Sequence, residues 1–141
     1  MAGRKAIATW NGGLKDGKGP VALGSGLFEG AFSFETRMGE EPGTNPENCW
    51  GRRLPAATRW HSVATLEGSG TPAKSVKTGA KVHLGKDDAG FVIKGIDLSV
   101  VADVAGFDDA AFQAIAEKVS RECPISKALT GTKITLSAKL A

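Results

Sequence analysis

Thr44-Asn45-Pro46-Glu47-Asn48-Cys49-Trp50-Gly51-Arg52-Arg53-Leu54-Pro55 opens like a helix and then stops reading as one. A capping side chain, a proline in the first turn and an acid near the positive end of the helix dipole all favour initiation at Pro46. An apolar stripe should follow, but the next residues have no helical period, and Pro55 stands where it would break a helix. The stretch 48–65 is foreign to its surroundings. It holds Arg52, Arg53 and Arg59, no acid, two of the three tryptophans (Trp50, Trp60), Cys49 and His61. Its three arginines account for the whole formal net charge of +3, so the rest of the chain is neutral.

Outward from this stretch the patterns are regular. Lys5–Asn11 and Pro20–Leu23 predict a β-hairpin, and Phe32-Ser33-Phe34-Glu35-Thr36-Arg37 alternates as a strand that ends on Arg37. Ser75–Leu84 and Gly90–Val104, joined by Gly85-Lys-Asp-Asp-Ala-Gly90, predict an antiparallel pair. From Asp109 the apolar positions Phe112, Ile115, Ala116, Val119 and Cys123 recur at helical spacing, which puts Cys123 on a buried face. Pro124 ends that helix, and Lys133–Leu140 closes the chain as a strand.

At 141 residues, with 41% hydrophobic and 23% charged residues, the chain is expected to be one globular domain over 1–141 rather than disordered. No apolar run reaches the roughly 20 residues of a membrane span and no signal-peptide core is present, so a cytoplasmic protein without a membrane partner is expected. Two cysteines cannot build a disulfide framework, and two histidines without zinc spacing give no metal site. The arginines and tryptophans of 48–65 could be taken for a nucleic-acid patch, but the neutral remainder argues against such a partner.

Thr44-Asn-Pro-Glu47 together with Glu122-Cys-Pro-Ile-Ser126 resembles the osmotically inducible protein C (OsmC) and organic hydroperoxide reductase family, on its OsmC-like branch. The flanks fit as well: Ala8-Thr-Trp10, a Phe-x-Thr-Arg37 segment and a final Ile-Thr-Leu strand. The resemblance implies an α/β (α+β) fold, with two antiparallel β-sheets wrapping central helices in an intertwined homodimer. It also implies a cysteine-based peroxidase for organic hydroperoxides and hydrogen peroxide that needs no bound cofactor and is recharged by a dithiol such as a lipoyl protein. By the same resemblance Cys123 is the resolving cysteine, Arg37 the arginine beside the attacking thiolate, and Glu47 the carboxylate that orients it. Periodicity alone would make Cys123 a core thiol.

One departure is decisive. The family's attacking cysteine lies ten residues after the glutamate of Thr-Asn-Pro-Glu, and here that position is Ala57. Cys49 cannot replace it, because eight helical residues at ~1.5 Å each carry it about 12 Å away, beyond the ~7 Å reach of a disulfide. The genetic code offers an explanation. When each codon is read from the third base of one residue's codon and the first two bases of the next, Asn48–Cys49 and Cys49–Trp50 force Leu. Trp50–Gly51 forces Gly, Trp60–His61 forces Ala, and Ala56–Ala57 permits Cys. These are the family's residues at those places. Residues 48–65 therefore read as an out-of-frame translation of the active-site helix, with one base lost near Glu47 and one regained near Thr65. A chain in which the attacking thiol is truly absent would instead be an inactive dimer that binds a ligand or serves a structural role. With Arg52 and Arg53 buried at several kcal/mol each and Pro55 inside at about 3 kcal/mol, the first helix is expected to be badly compromised.

Overall fold

A computed structural model describes residues 3–141, which fall into two compact units, up to Cys49 and from Trp50 onward. In the first, β1 (Ala6–Ala8), β2 (Lys18–Leu23) and β3 (Glu29–Ser33) form an antiparallel sheet in that order, with Ala6 opposite Leu23 and Lys18 opposite Ser33. The expected hairpin is present. Trp10 packs edge-on to Phe32, ring centroids 5.2 Å apart.

The strand expected to run to Arg37 stops at Ser33, and α1 (Phe34–Met38) takes its place. The cause is a capping box. The Ser33 hydroxyl accepts the Thr36 N–H at 3.1 Å and the Thr36 hydroxyl accepts the Ser33 N–H at 2.9 Å, so the chain turns before the Phe32/Phe34 alternation can continue.

The helix α2 spans Pro46–Gly68 without interruption, which corrects the expectation that Pro55 would end it. Its buried face is Leu54, Thr58, Ser62 and Leu66, one residue every fourth position, with Pro55 beside them. Two hydroxyl residues disguise what is geometrically a helical stripe. Pro55 leaves the Gly51 carbonyl without its N–H donor, but it is itself buried and its own carbonyl accepts the Thr78 hydroxyl of the neighbouring strand at 2.9 Å. Arg52, Arg53 and Arg59 are exposed on the protomer, so the anticipated cost of burying guanidinium groups does not arise there.

In the second unit, β4 (Ser75–Asp87) and β5 (Gly90–Asp103) pair antiparallel as expected, with a bulge between His83 and Leu84. The helix α3 (Asp109–Glu122) starts on an Asp108 side chain that accepts the Ala111 N–H at 2.9 Å, and α4 (Pro124–Ala128) follows. The last strand, β6 (Ile134–Leu140), lies beside β5 in parallel, so this sheet is mixed rather than wholly antiparallel. The crossover through α3 and α4 returns the chain to the same end of the sheet, and a parallel neighbour follows from that connection. Two apolar clusters fill the unit. One gathers Leu54, Ile96, Leu98, Cys123 and Leu129; the other gathers Val100, Ala102, Phe112, Ala116 and Ala138. Among the described residues no helix is long and apolar enough to cross a membrane.

Candidate active site

Arg37 and Glu47 meet within the first unit. The Arg37 Nη2 donates to Glu47 Oε1 at 2.9 Å, with the arginine side chain about a third exposed (34%) and the carboxylate nearly covered (13%). Glu47 stands in the first turn of α2, where the helix dipole favours a carboxylate, and the guanidinium completes its partners. The Arg37 Nε is buried and has no hydrogen-bond partner among the described residues. A guanidinium held by a carboxylate on one donor, with another donor unspent and out of bulk water, is suited to receive an oxygen that gains negative charge.

Cys123 lies in the second unit and is completely buried. It joins α3 to α4 in an extended conformation (φ −54°, ψ 126°), which the following Pro124 imposes. The side chain belongs to the cluster with Leu54, Ile96, Leu98 and Leu129, and the half-buried Ala57 of α2 packs against that same cluster. The position ten residues after Glu47 and the second cysteine thus line one apolar environment. Cys49 is half-buried, and its N–H makes the first helical bond of α2, to the Asn45 carbonyl at 3.1 Å.

The structure also forms a polar group outside the residues that the sequence motifs single out. His83 Nε2 lies 2.6 Å from Asp97 Oδ2 across β4 and β5, and the Thr135 hydroxyl of β6 donates to Asp97 Oδ1 at 2.5 Å. The Thr135 bond, then the His83 bond, holds the Asp97 carboxyl below its ordinary value of 3.8. Thr135 stands directly opposite Asp97 in the β5–β6 register, whereas His83, whose own register partner is Gly95, reaches Asp97 diagonally; the Thr135 contact becomes legible only once β6 is known to run parallel to β5. Among the described residues no group of three or more His, Cys, Asp or Glu side chains could hold a metal ion.

With the arginine pair and the buried cysteine in view, residues 39–137 match the family of OsmC-like proteins, and the chain is 37% identical to the peroxiredoxin OsmC of Escherichia coli over 138 residues, 97% of this chain and 96% of that protein. The chain belongs to the OsmC family. Solved structures agree at the level of fold. The Legionella pneumophila organic hydroperoxide resistance protein OsmC superposes with a TM-score of 0.70 at 22% identity, covering 100% of this chain and 99% of that one. The Bacillus subtilis organic hydroperoxide resistance protein OhrB gives 0.69 at 21%, covering 97% and 98%. By family this OsmC-like chain is a cysteine-based peroxidase.

Proposed function

We propose that this OsmC-like protein reduces organic hydroperoxides, and hydrogen peroxide less readily, in defence against oxidative and osmotic stress, and that position 57 is the place of its attacking thiol. The observation that carries this reading is the packing of Ala57 against the apolar cluster that buries Cys123, in a chain that keeps the Arg37–Glu47 pair. In the complete enzyme a cysteine thiolate at position 57 attacks the terminal peroxide oxygen, the O–O bond breaks, and the departing alkoxide takes a proton to leave as an alcohol. The sulfenic acid then condenses with the Cys123 thiol, releasing water and forming a disulfide. An external dithiol, of the lipoyl kind, reduces that disulfide, so no bound cofactor is required. Arg37, steadied by Glu47, stabilises the thiolate and the departing oxygen. The protein acts as a cytoplasmic homodimer, with neither nucleic acid nor membrane as a partner.

For the chain with Ala57 in place, the same reading expects little or no turnover. The rival, an inactive OsmC-like dimer that holds a ligand or serves as a structural partner, is favoured by the missing thiol alone. A peptide mass map of residues 39–74 from the protein's own source separates the two. A cysteine ten residues after Glu47 supports the peroxidase and marks 48–65 as out of frame, whereas Asn48-Cys-Trp-Gly-Arg as it stands, together with no peroxide consumption by the Ala57→Cys chain, supports the rival.

A further inference from the structure

Thr36 is the only buried side chain among the described residues up to Cys49, and it is polar. Its hydroxyl reaches the Thr44 carbonyl at 2.8 Å and accepts the Ser33 N–H at 2.9 Å. Its methyl group lies over Gly43, where any Cβ would collide with it. The Thr36 carbonyl accepts the Asn45 Nδ2 at 3.0 Å, while the other end of the same amide, Oδ1, accepts the Asn48 N–H at 2.7 Å and caps α2. Thr44 in turn gives its N–H and its hydroxyl to the Ala31 carbonyl, at 2.8 and 2.6 Å. The α2 end of the loop between α1 and α2 is therefore tied back to one residue of α1.

That residue directly precedes Arg37, and Asn45 stands two positions before Glu47. A long, flexible side chain keeps one geometry only if its backbone and its partner's backbone are fixed with respect to each other. We propose that Thr36 and Asn45 are positioning residues for the Arg37–Glu47 pair: the buried hydroxyl and the two-ended amide lock the turn carrying the guanidinium against the helix start carrying the carboxylate. The buried Arg37 Nε is thereby presented unspent. The chemistry of this role rests on the peroxidase reading; its geometry does not.

Three substitutions separate positioning from general support. Asn45→Asp retains an acceptor for the Asn48 N–H, so the cap survives, but a carboxylate cannot donate to the Thr36 carbonyl. Thr36→Val keeps the shape and removes the hydroxyl, and Thr36→Ser keeps the hydroxyl. The first readout is rotation of the Arg37 guanidinium by nitrogen-15 NMR on the full chain, with folding checked by circular dichroism. Rotation should be restricted in the parent and in Thr36→Ser, and freely averaged in Asn45→Asp and Thr36→Val. The second readout is kcat/KM for cumene hydroperoxide in the Ala57→Cys background with a lipoyl dithiol. It should fall about 10- to 100-fold in the two disrupting variants, the scale expected for an ångström-sized misplacement, and recover with Thr36→Ser. An Asn45→Asp chain whose Arg37 stays restricted, or whose kcat/KM is unchanged, overturns the proposal. If Thr36→Val does not fold, Asn45→Asp decides alone. An inactive Ala57→Cys parent counts against the peroxidase reading, and the NMR readout still decides the positioning role.

Discussion

Replacing Ala57 by Cys, with Cys49→Ser to keep the other thiol out of the chemistry, should let the chain close a disulfide between position 57 and Cys123 when it meets a hydroperoxide. Ala57 already packs against the cluster that contains Cys123, and α2 holds it there through the buried Leu54 and Thr58 on either side. The bridge would close a loop of roughly 65 residues, for which chain entropy gives about 4 kcal/mol of stabilisation in the oxidised form. For a domain of this size that corresponds to a rise in Tm of about 10–15 °C over the reduced form. The assay is a titration with cumene hydroperoxide, followed by intact mass, free-thiol count and a thermal melt with and without dithiothreitol. One equivalent of peroxide should remove both thiols and two mass units per chain. Retention of two free thiols, or oxidation of Cys123 to a sulfinic acid with no bridge, would refute the placement of position 57 beside Cys123.

Three further outcomes test the fold. Ser62 is 1% exposed and its hydroxyl has no hydrogen-bond partner among the described residues, so Ser62→Ala should stabilise the protein by about 1 kcal/mol in a denaturant titration. Pro55→Ala restores the N–H that the Gly51 carbonyl lacks and should add up to about 3 kcal/mol, provided the refilled site packs as well as the buried ring; an unchanged midpoint would mean that the Thr78 bond and the ring's burial already offset the break. Asp97 has a depressed folded-state pKa, so its contribution is present above its ordinary value and is lost as the pH falls through the lower, folded one. Asp97→Asn should therefore lower the melting temperature near pH 6 and converge with the parent in strong acid, and parallel curves down to pH 2 would contradict the assignment.

How much of this is readable beforehand depends on the kind of signal. The β4–β5 hairpin and α3 announce themselves through clean periods and, for α3, the Asp108 cap. The turn into α1 is hidden because Phe32-Ser-Phe alternation looks like a continuing strand, while the Ser33/Thr36 spacing that ends it is a weak local cue. In α2 the stripe is hidden by chemistry, since Thr58 and Ser62 occupy positions where apolar residues normally reveal a buried face. The direction of β6 cannot be read from alternation, which is identical in parallel and antiparallel strands. Arg37 and Glu47 can be singled out by residue type within a motif, and the structure adds their 2.9 Å contact. Beyond its capping spacing from Ser33, Thr36 carries no signal of its own: a threonine becomes a hub only through what the loop brings back to it.

The parallel seating of β6 has a bearing on access to the buried thiol. Ile134 and Leu136 of this edge strand pack on the cluster around Cys123. Strand termini at a sheet edge are among the first backbone segments to open in native-state exchange. Peeling of β6 would uncover that cluster to a bulky reductant or alkylating reagent, and the rate at which Cys123 is trapped should then follow amide exchange in β6 rather than global unfolding.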